Sequence, residues 1–219
     1  MSKKEILSKT EAYVRNKLEG EGSGHDWWHI HRVRNTALKL GQEEKADLFV
    51  VELATLLHDI ADHKFHGGDE EIGPATAREW LSNLNTDESV INHVCEIIRD
   101  VSFKGAEVET PMKTMEGKVV QDADRLDAIG AIGIARAFAY GGHKGRELHN
   151  PNIQPESHDS FDSYKKSAGP TVNHFYEKLF LLKDRMNTAS GRKLAEQRHQ
   201  FMKEFVERFL EEWDGNDEL

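Results

Sequence analysis

Apolar side chains recur along this chain at helical spacing, three and four residues apart, and only five prolines interrupt the pattern in 219 residues. Such a period buries one stripe of each helix and leaves the opposite face to water. The run after Asp26 shows it: His29, Arg32, Val33, Thr36, Ala37 and Leu40 fall on one helical face, and Asp26 is placed to cap that helix. His29 is therefore expected to point toward the core. The most apolar stretch, residues 43–62, carries Leu48, Phe49, Val50, Leu53, Leu56 and Leu57, with His58-Asp59 near its C-terminal end. The expected class is all-α.

The remaining punctuation divides the chain into further helices. Residues 3–19 form an amphipathic segment that ends at the glycine-rich run 20–24. Pro74 is suited to the first position of a helix running to Asn83, and Thr86 to capping the next one, to Val101. A long helix is expected from near Thr114 to Tyr140, carrying Asp122, Asp124 and Asp127 and stopping at Gly141-Gly142. Two more follow, over 170–186 and 190–213, with Phe175, Leu179, Leu182, Phe201, Phe205 and Phe209 as core positions. Residues 143–168 have little periodicity, and a loop of that length is read either as a lid or as surface decoration. The whole of 1–219 is read as a single domain.

Charge and cysteine usage narrow the function classes. A net charge of -10 argues against a duplex nucleic acid as partner, which needs a cationic surface. A small phosphorylated substrate needs only a local basic pocket. The lone Cys95 has no internal partner and is read as a small core residue, as suits a reducing cytosol. The polar first ten residues lack the apolar run of a signal peptide, and no stretch approaches the roughly 20 apolar residues of a membrane span. A cytoplasmic protein without a membrane partner is expected, as monomer or homodimer.

Four residues carry the chemistry. His58 and Asp59 are sequence neighbours, about 100° apart around a helix, and a cation between their directions is within reach of both. Such an ion needs more ligands. His29 and Asp124 are candidates, because each sits in an apolar helical face where an unpaired polar group is costly. Two imidazoles and two carboxylates suit a six-coordinate Mn²⁺, Fe²⁺ or Mg²⁺ with two open positions; Ni²⁺ and Co²⁺ stay open and Zn²⁺ is less natural. No third His-rich motif is present, so one ion is expected rather than two.

Asp62, one turn after His58, is the first choice for a base, with orientation of His29 or His58 as the alternative. Lys64 follows directly and is the first candidate for phosphate oxygens, joined by His25, one turn before His29, and by Lys104. Arg32 and Arg125 are read either as substrate contacts or as internal ion-pair partners. Asp127 can share a face with Asp124 and orient a ligand or a sugar hydroxyl. His143, Lys144 and Arg146 are read as a solvated charge run or as a grip on a phosphate tail, and Trp27 and Trp28 as packing or as a base-stacking platform.

The order of Gly24-His25-Asp26-Trp27, His29-x-x-Arg32-Val33, Leu56-Leu57-His58-Asp59-Ile60, Gln121 to Ile134 and His174-Phe175-Tyr176-Glu177-Lys178-Leu179 resembles the HD-domain phosphohydrolases. The resemblance is to a bacterial subgroup of about this length and covers nearly the whole chain. It implies an all-α, single-domain HD-type bundle with a metal held by an H…HD…D set, here His29, His58, Asp59 and Asp124. It also implies an acidic residue at the place of Asp62. Family members hydrolyse phosphate esters and anhydrides, nucleotides among them, and the nearest subgroup is associated with cleaving nucleoside triphosphates to monophosphate and pyrophosphate. A nucleotidase or other phosphoester hydrolase is the alternative within enzymes; a metal- or nucleotide-binding sensor is the alternative outside them.

Overall fold

The computed structural model of the chain describes residues 1–20, 26–61, 71–101, 110–156 and 169–216. The chain divides into two compact units, Met1–Phe103 with Thr110–Asp124, and Lys104–Glu109 with Arg125–Leu219. Among the described residues every regular element is helical, and no helix is long and apolar enough to cross a membrane.

The first unit holds α1 (Lys3–Leu18), α2 (Trp27–Glu43), α3 (Leu48–Leu57), α4 (Ile72–Asn83), α5 (Glu88–Val101) and α6 (Met115–Asp127) as far as Asp124. Its centre is α3, where every residue from Phe49 to Leu57 except Glu52 is buried. A helix apolar on all sides is stable only when surrounded, and α3 packs against α1, α2 and α5. The half-buried Glu52 accepts from Arg34 Nε on α2 at 2.8 Å, and the same guanidinium lies 3.1 Å from Glu11 on α1. At Gly41 a Cβ would stand 2.9 Å from Leu48 Cδ2, so glycine lets the end of α2 approach α3 closely. The expected helix over 43–62 is shorter than its apolar run. It begins after Asp47, whose carboxylate accepts from Phe49 N at 2.9 Å, and ends at Leu57 with His58 as C-cap. Pro74 occupies the third position of α4 rather than the first, and α5 starts at Glu88, one residue later than a cap at Thr86 would place it.

The second unit holds the last turn of α6, then α7 (Gly130–His143), α8 (Asn173–Glu177), a 3₁₀ helix (Leu179–Arg185) and α9 (Ala189–Asp214). The long helix expected over 114–140 is two helices. Ile129 is extended and Gly130 has φ +77°, a left-handed conformation in which a Cβ would also stand 2.9 Å from Arg198 Cγ. Only glycine meets both demands cheaply. Likewise, the helix expected over 170–186 is one turn of α-helix followed by the tighter 3₁₀ form. Phe138, Phe175, Phe205 and Phe209 form an aromatic core with ring centroids 5.8–6.2 Å apart. Phe201 is exposed, in contrast to the expectation. Ala195, Met202 and Val206 define the buried stripe of α9, and Phe201 falls about 100° from Met202 around the helix.

The first part of the segment expected as a loop is bonded to α8 and the residues before it. Glu147 O and Leu148 O accept from Thr171 N and Val172 N at 2.9 and 3.0 Å. Asn173 Nδ2 donates to Ile153 O at 2.9 Å, and Glu177 accepts from Glu156 N at 3.2 Å. Residues 157–168, the rest of the expected lid, lie outside the described residues. On α8, His174 is half-buried; burial first, then the charges of Lys178 and Arg146, push its pKa down to about 3.

Candidate metal centre

The four residues expected to hold an ion lie on, or directly after, three helices of the first unit. His29 is the third residue of α2, His58 caps α3 with Asp59 following it, and Asp124 lies on α6. Asp26 caps α2, its Oδ1 accepting from the backbone N–H of His29 at 2.9 Å. His29 and His58 are buried, at 1% and 7% exposure.

Their donor atoms converge. His29 Nε2 is 3.3 Å from His58 Nε2, 3.4 Å from Asp59 Oδ2 and 3.5 Å from Asp124 Oδ1. His58 Nε2 is 3.5 Å from Asp59 Oδ2 and 3.8 Å from Asp124 Oδ1. Donors of His29, His58 and Asp59 form a group with metal-ligand spacing. The other ring nitrogen of His58 fixes its tautomer. Nδ1 lies 2.8 Å from Thr55 O, and a carbonyl can only accept, so Nδ1 carries the hydrogen and Nε2 is the nitrogen left to present a lone pair to a metal. That lone pair faces another imidazole nitrogen and two carboxylate oxygens.

With His29 also presenting a lone pair at Nε2, such a buried convergence of acceptors is met by a positive centre. The spacing fits one. Donors about 2.1 Å from a common ion and about 90–110° apart are separated by ~3.0–3.4 Å, as His29 Nε2 is from His58 Nε2 and Asp59 Oδ2 at 3.3 and 3.4 Å, while the other separations are wider, at 3.5–3.8 Å; charge-assisted hydrogen bonds are typically about 2.7–2.9 Å long. The donor set, two imidazoles and two carboxylates, matches a borderline to hard divalent cation. The carboxylates form the open side, with side chains 15% and 29% exposed against 2% for each histidine.

The profile of the HD domain family matches residues 27–129, a span that contains all four donors. A Bacillus subtilis protein, YpgQ, is 41% identical over 207 residues, 94% of this chain and 92% of its own length. The chain belongs to the HD superfamily. Its structure is similar to that of an HD-superfamily hydrolase from Bacillus thuringiensis, with 44% identity, a TM-score of 0.78, and coverage of 97% of this chain and 99% of that one. It is also similar to B. subtilis YpgQ in complex with ADP, with 37% identity, a TM-score of 0.75, and coverage of 96% and 100%. Membership makes the chain kin to metal-dependent hydrolases with an all-helical fold.

His25, Asp62, Lys64 and Lys104 lie outside the described residues. Arg32 is half-buried on α2, one turn after His29. In the second unit, the buried Arg125 donates to the backbone carbonyl of Arg185, and the buried Asp127 pairs with Arg136 at 2.5 Å. Both engage the protein itself, Arg125 through a backbone carbonyl rather than through the ion pair with a carboxylate raised as its alternative to substrate contact. The Asp26 cap and the Thr55 carbonyl complete the centre. The first is legible in the sequence as a capping residue, but its hold on His29 is not. The second carries no sequence signal, because every residue has a carbonyl. His93 lies 2.8 Å from Thr114 Oγ1 and 3.7 Å from Glu116, on other partners than the four donors.

Proposed function

We propose that this HD-superfamily chain is a metal-dependent phosphohydrolase that cleaves (deoxy)nucleoside triphosphates to monophosphate and pyrophosphate. The observation that carries the reading is the tautomer-fixed lone pair of His58 facing His29, Asp59 and Asp124 at 3.3–3.8 Å. The nucleotide part is supported by the ADP bound to the 37%-identical YpgQ and by the resemblance of the sequence motifs.

In this reading His29, His58, Asp59 and Asp124 hold one divalent ion, Mn²⁺, Mg²⁺, Fe²⁺, Ni²⁺ or Co²⁺. Bound there, the ion supplies Lewis acidity that acidifies a water and polarises a phosphoryl oxygen. Asp62 accepts the water's proton. Lys64, His25, Lys104 and Arg32 offer donors to the phosphate oxygens. Substrate approaches from the carboxylate side, the more exposed edge of the cluster. Arg125 and Asp127 fix the C-terminal end of α6 through Arg185 and Arg136. The single buried Cys95 accords with a reducing, cytoplasmic setting.

The test strips the protein with a chelator, restores Mn²⁺, Mg²⁺, Co²⁺, Fe²⁺ or Ni²⁺ singly, and identifies the products from a nucleotide panel. Pyrophosphate and monophosphate from a triphosphate are expected. Orthophosphate from monophosphates would replace the reading with a nucleotidase. Tight nucleotide binding without turnover under every metal would replace it with a sensor.

A further inference from the structure

The chain contains three His-Asp dipeptides, His25-Asp26, His58-Asp59 and His158-Asp159, and of the two whose Asp is among the described residues only His58-Asp59 supplies a carboxylate to the donor cluster. The first carboxylate is committed elsewhere. Asp26 is the N-cap of α2, extended at φ −78° and ψ 173°, and its Oδ1 accepts from the backbone N–H of His29 at 2.9 Å. The Asp26 carbonyl accepts from the same N–H at 3.1 Å and from Ile30 N–H at 3.3 Å. His29 is the third residue of the helix, where a cap side chain makes its bond. The residue that carries one of the two buried imidazoles is therefore also the residue that the cap grips.

We infer that Asp26 is a positioning residue for the metal centre: its carboxylate holds the first turn of α2 closed and so sets the origin from which His29 reaches the ion. This rests on the metal-centre reading above and assigns Asp26 neither ligation nor proton transfer. The structural logic is local. His29 Nε2 meets His58 Nε2, Asp59 and Asp124 within 3.3–3.5 Å, and it does so from the least supported turn of its helix. The first turn has backbone donors without intrahelical acceptors, and a side-chain cap satisfies one of them. When that turn opens, His29 leaves the cluster, and the apparent ion affinity falls with the closed fraction.

Cap chemistry, rather than negative charge, is then the relevant property of residue 26. Asn caps as well as Asp but carries no charge, and Ala does neither. Mn²⁺ is titrated by calorimetry into the chelator-stripped full chain and into D26N, D26S, D26A and T188A. Thr188 is a control cap, its Oγ1 accepting from Gly191 N at 3.0 Å at the start of α9 in the other unit. D26A is expected to weaken Mn²⁺ binding about fivefold, with D26N, D26S and T188A within about twofold of the parent. Parent-like affinity in D26A would overturn the inference. So would D26N and D26S both binding as weakly as an uncapped helix while melting normally, because charge would then be the property that matters; these two also decide the matter if D26A does not fold. A parent chain that takes up no divalent ion would overturn the metal centre itself, an outcome distinct from an indifferent D26A.

Discussion

Acidification should destabilise this protein through His174, and the effect can be separated from every other histidine. The imidazole on α8 is held neutral, its pKa pushed down to about 3 by burial and by Lys178 and Arg146. In the unfolded chain it returns to about 6.5. Between those values the unfolded state binds a proton that the folded state refuses, so stability is fully present above pH 6.5 and is lost as pH falls toward 3. From pH 8 to pH 5 the loss is about 2 kcal/mol from this residue alone. The assay is urea unfolding of the parent and of His174→Gln at pH 8, 7, 6 and 5. Gln keeps a polar side chain and cannot titrate. Its baseline stability is expected to differ, while its dependence on pH should be shallower by about 2 kcal/mol over that interval. Identical slopes for the two proteins would refute the reasoning, as would an imidazole titration by NMR that places His174 near 6.5.

Other expectations concern the centre and the second core. His58→Ala should abolish metal retention by elemental analysis, and full metal content would remove His58 from the ligand set. Asp62→Asn should keep the metal and lose about a hundredfold or more in turnover; near-parent rates would leave it without a role as base. Mn²⁺ at a hundred times its dissociation constant should stabilise the stripped protein by about 2.7 kcal/mol in urea unfolding, and an unchanged midpoint would argue against binding to the folded state. Phe175→Ala removes a fully buried ring from the aromatic core and should cost about 3–5 kcal/mol, lowering Tm by on the order of 10 °C; a shift of a degree or two would mean that the site collapses around the loss.

The centre was more legible in the sequence than its surroundings. His29 could be placed because the face it shares with Val33, Ala37 and Leu40 is apolar, and a histidine there needs a partner. Interruptions of regular structure were harder to see. The pattern runs smoothly across Ala128-Ile129-Gly130, and a lone glycine in a helical run is often tolerated, so the left-handed turn that ends α6 left no clear mark. Phe201 follows the same four-residue rhythm as Phe205 and Phe209, yet the buried stripe passes through Met202 and Val206 instead. The partners of Arg125 and Asp127 were out of reach for another reason. Arg185 and Arg136 stand 60 and 9 residues away, and no helical spacing links them.

The contact between His58 Nδ1 and Thr55 O joins the stopping point of a helix to the chemistry of a centre. An α-helix leaves its last four carbonyls without intrahelical donors, and Thr55 belongs to that last turn of α3. By accepting the ring hydrogen, that carbonyl both satisfies itself and decides which nitrogen of His58 is left bare. The length of α3 is thus a protonation instruction. A residue inserted between Thr55 and His58 would turn the ring about 100° around the helix axis, and the lone pair would no longer face the other donors while every ligand remained in the sequence.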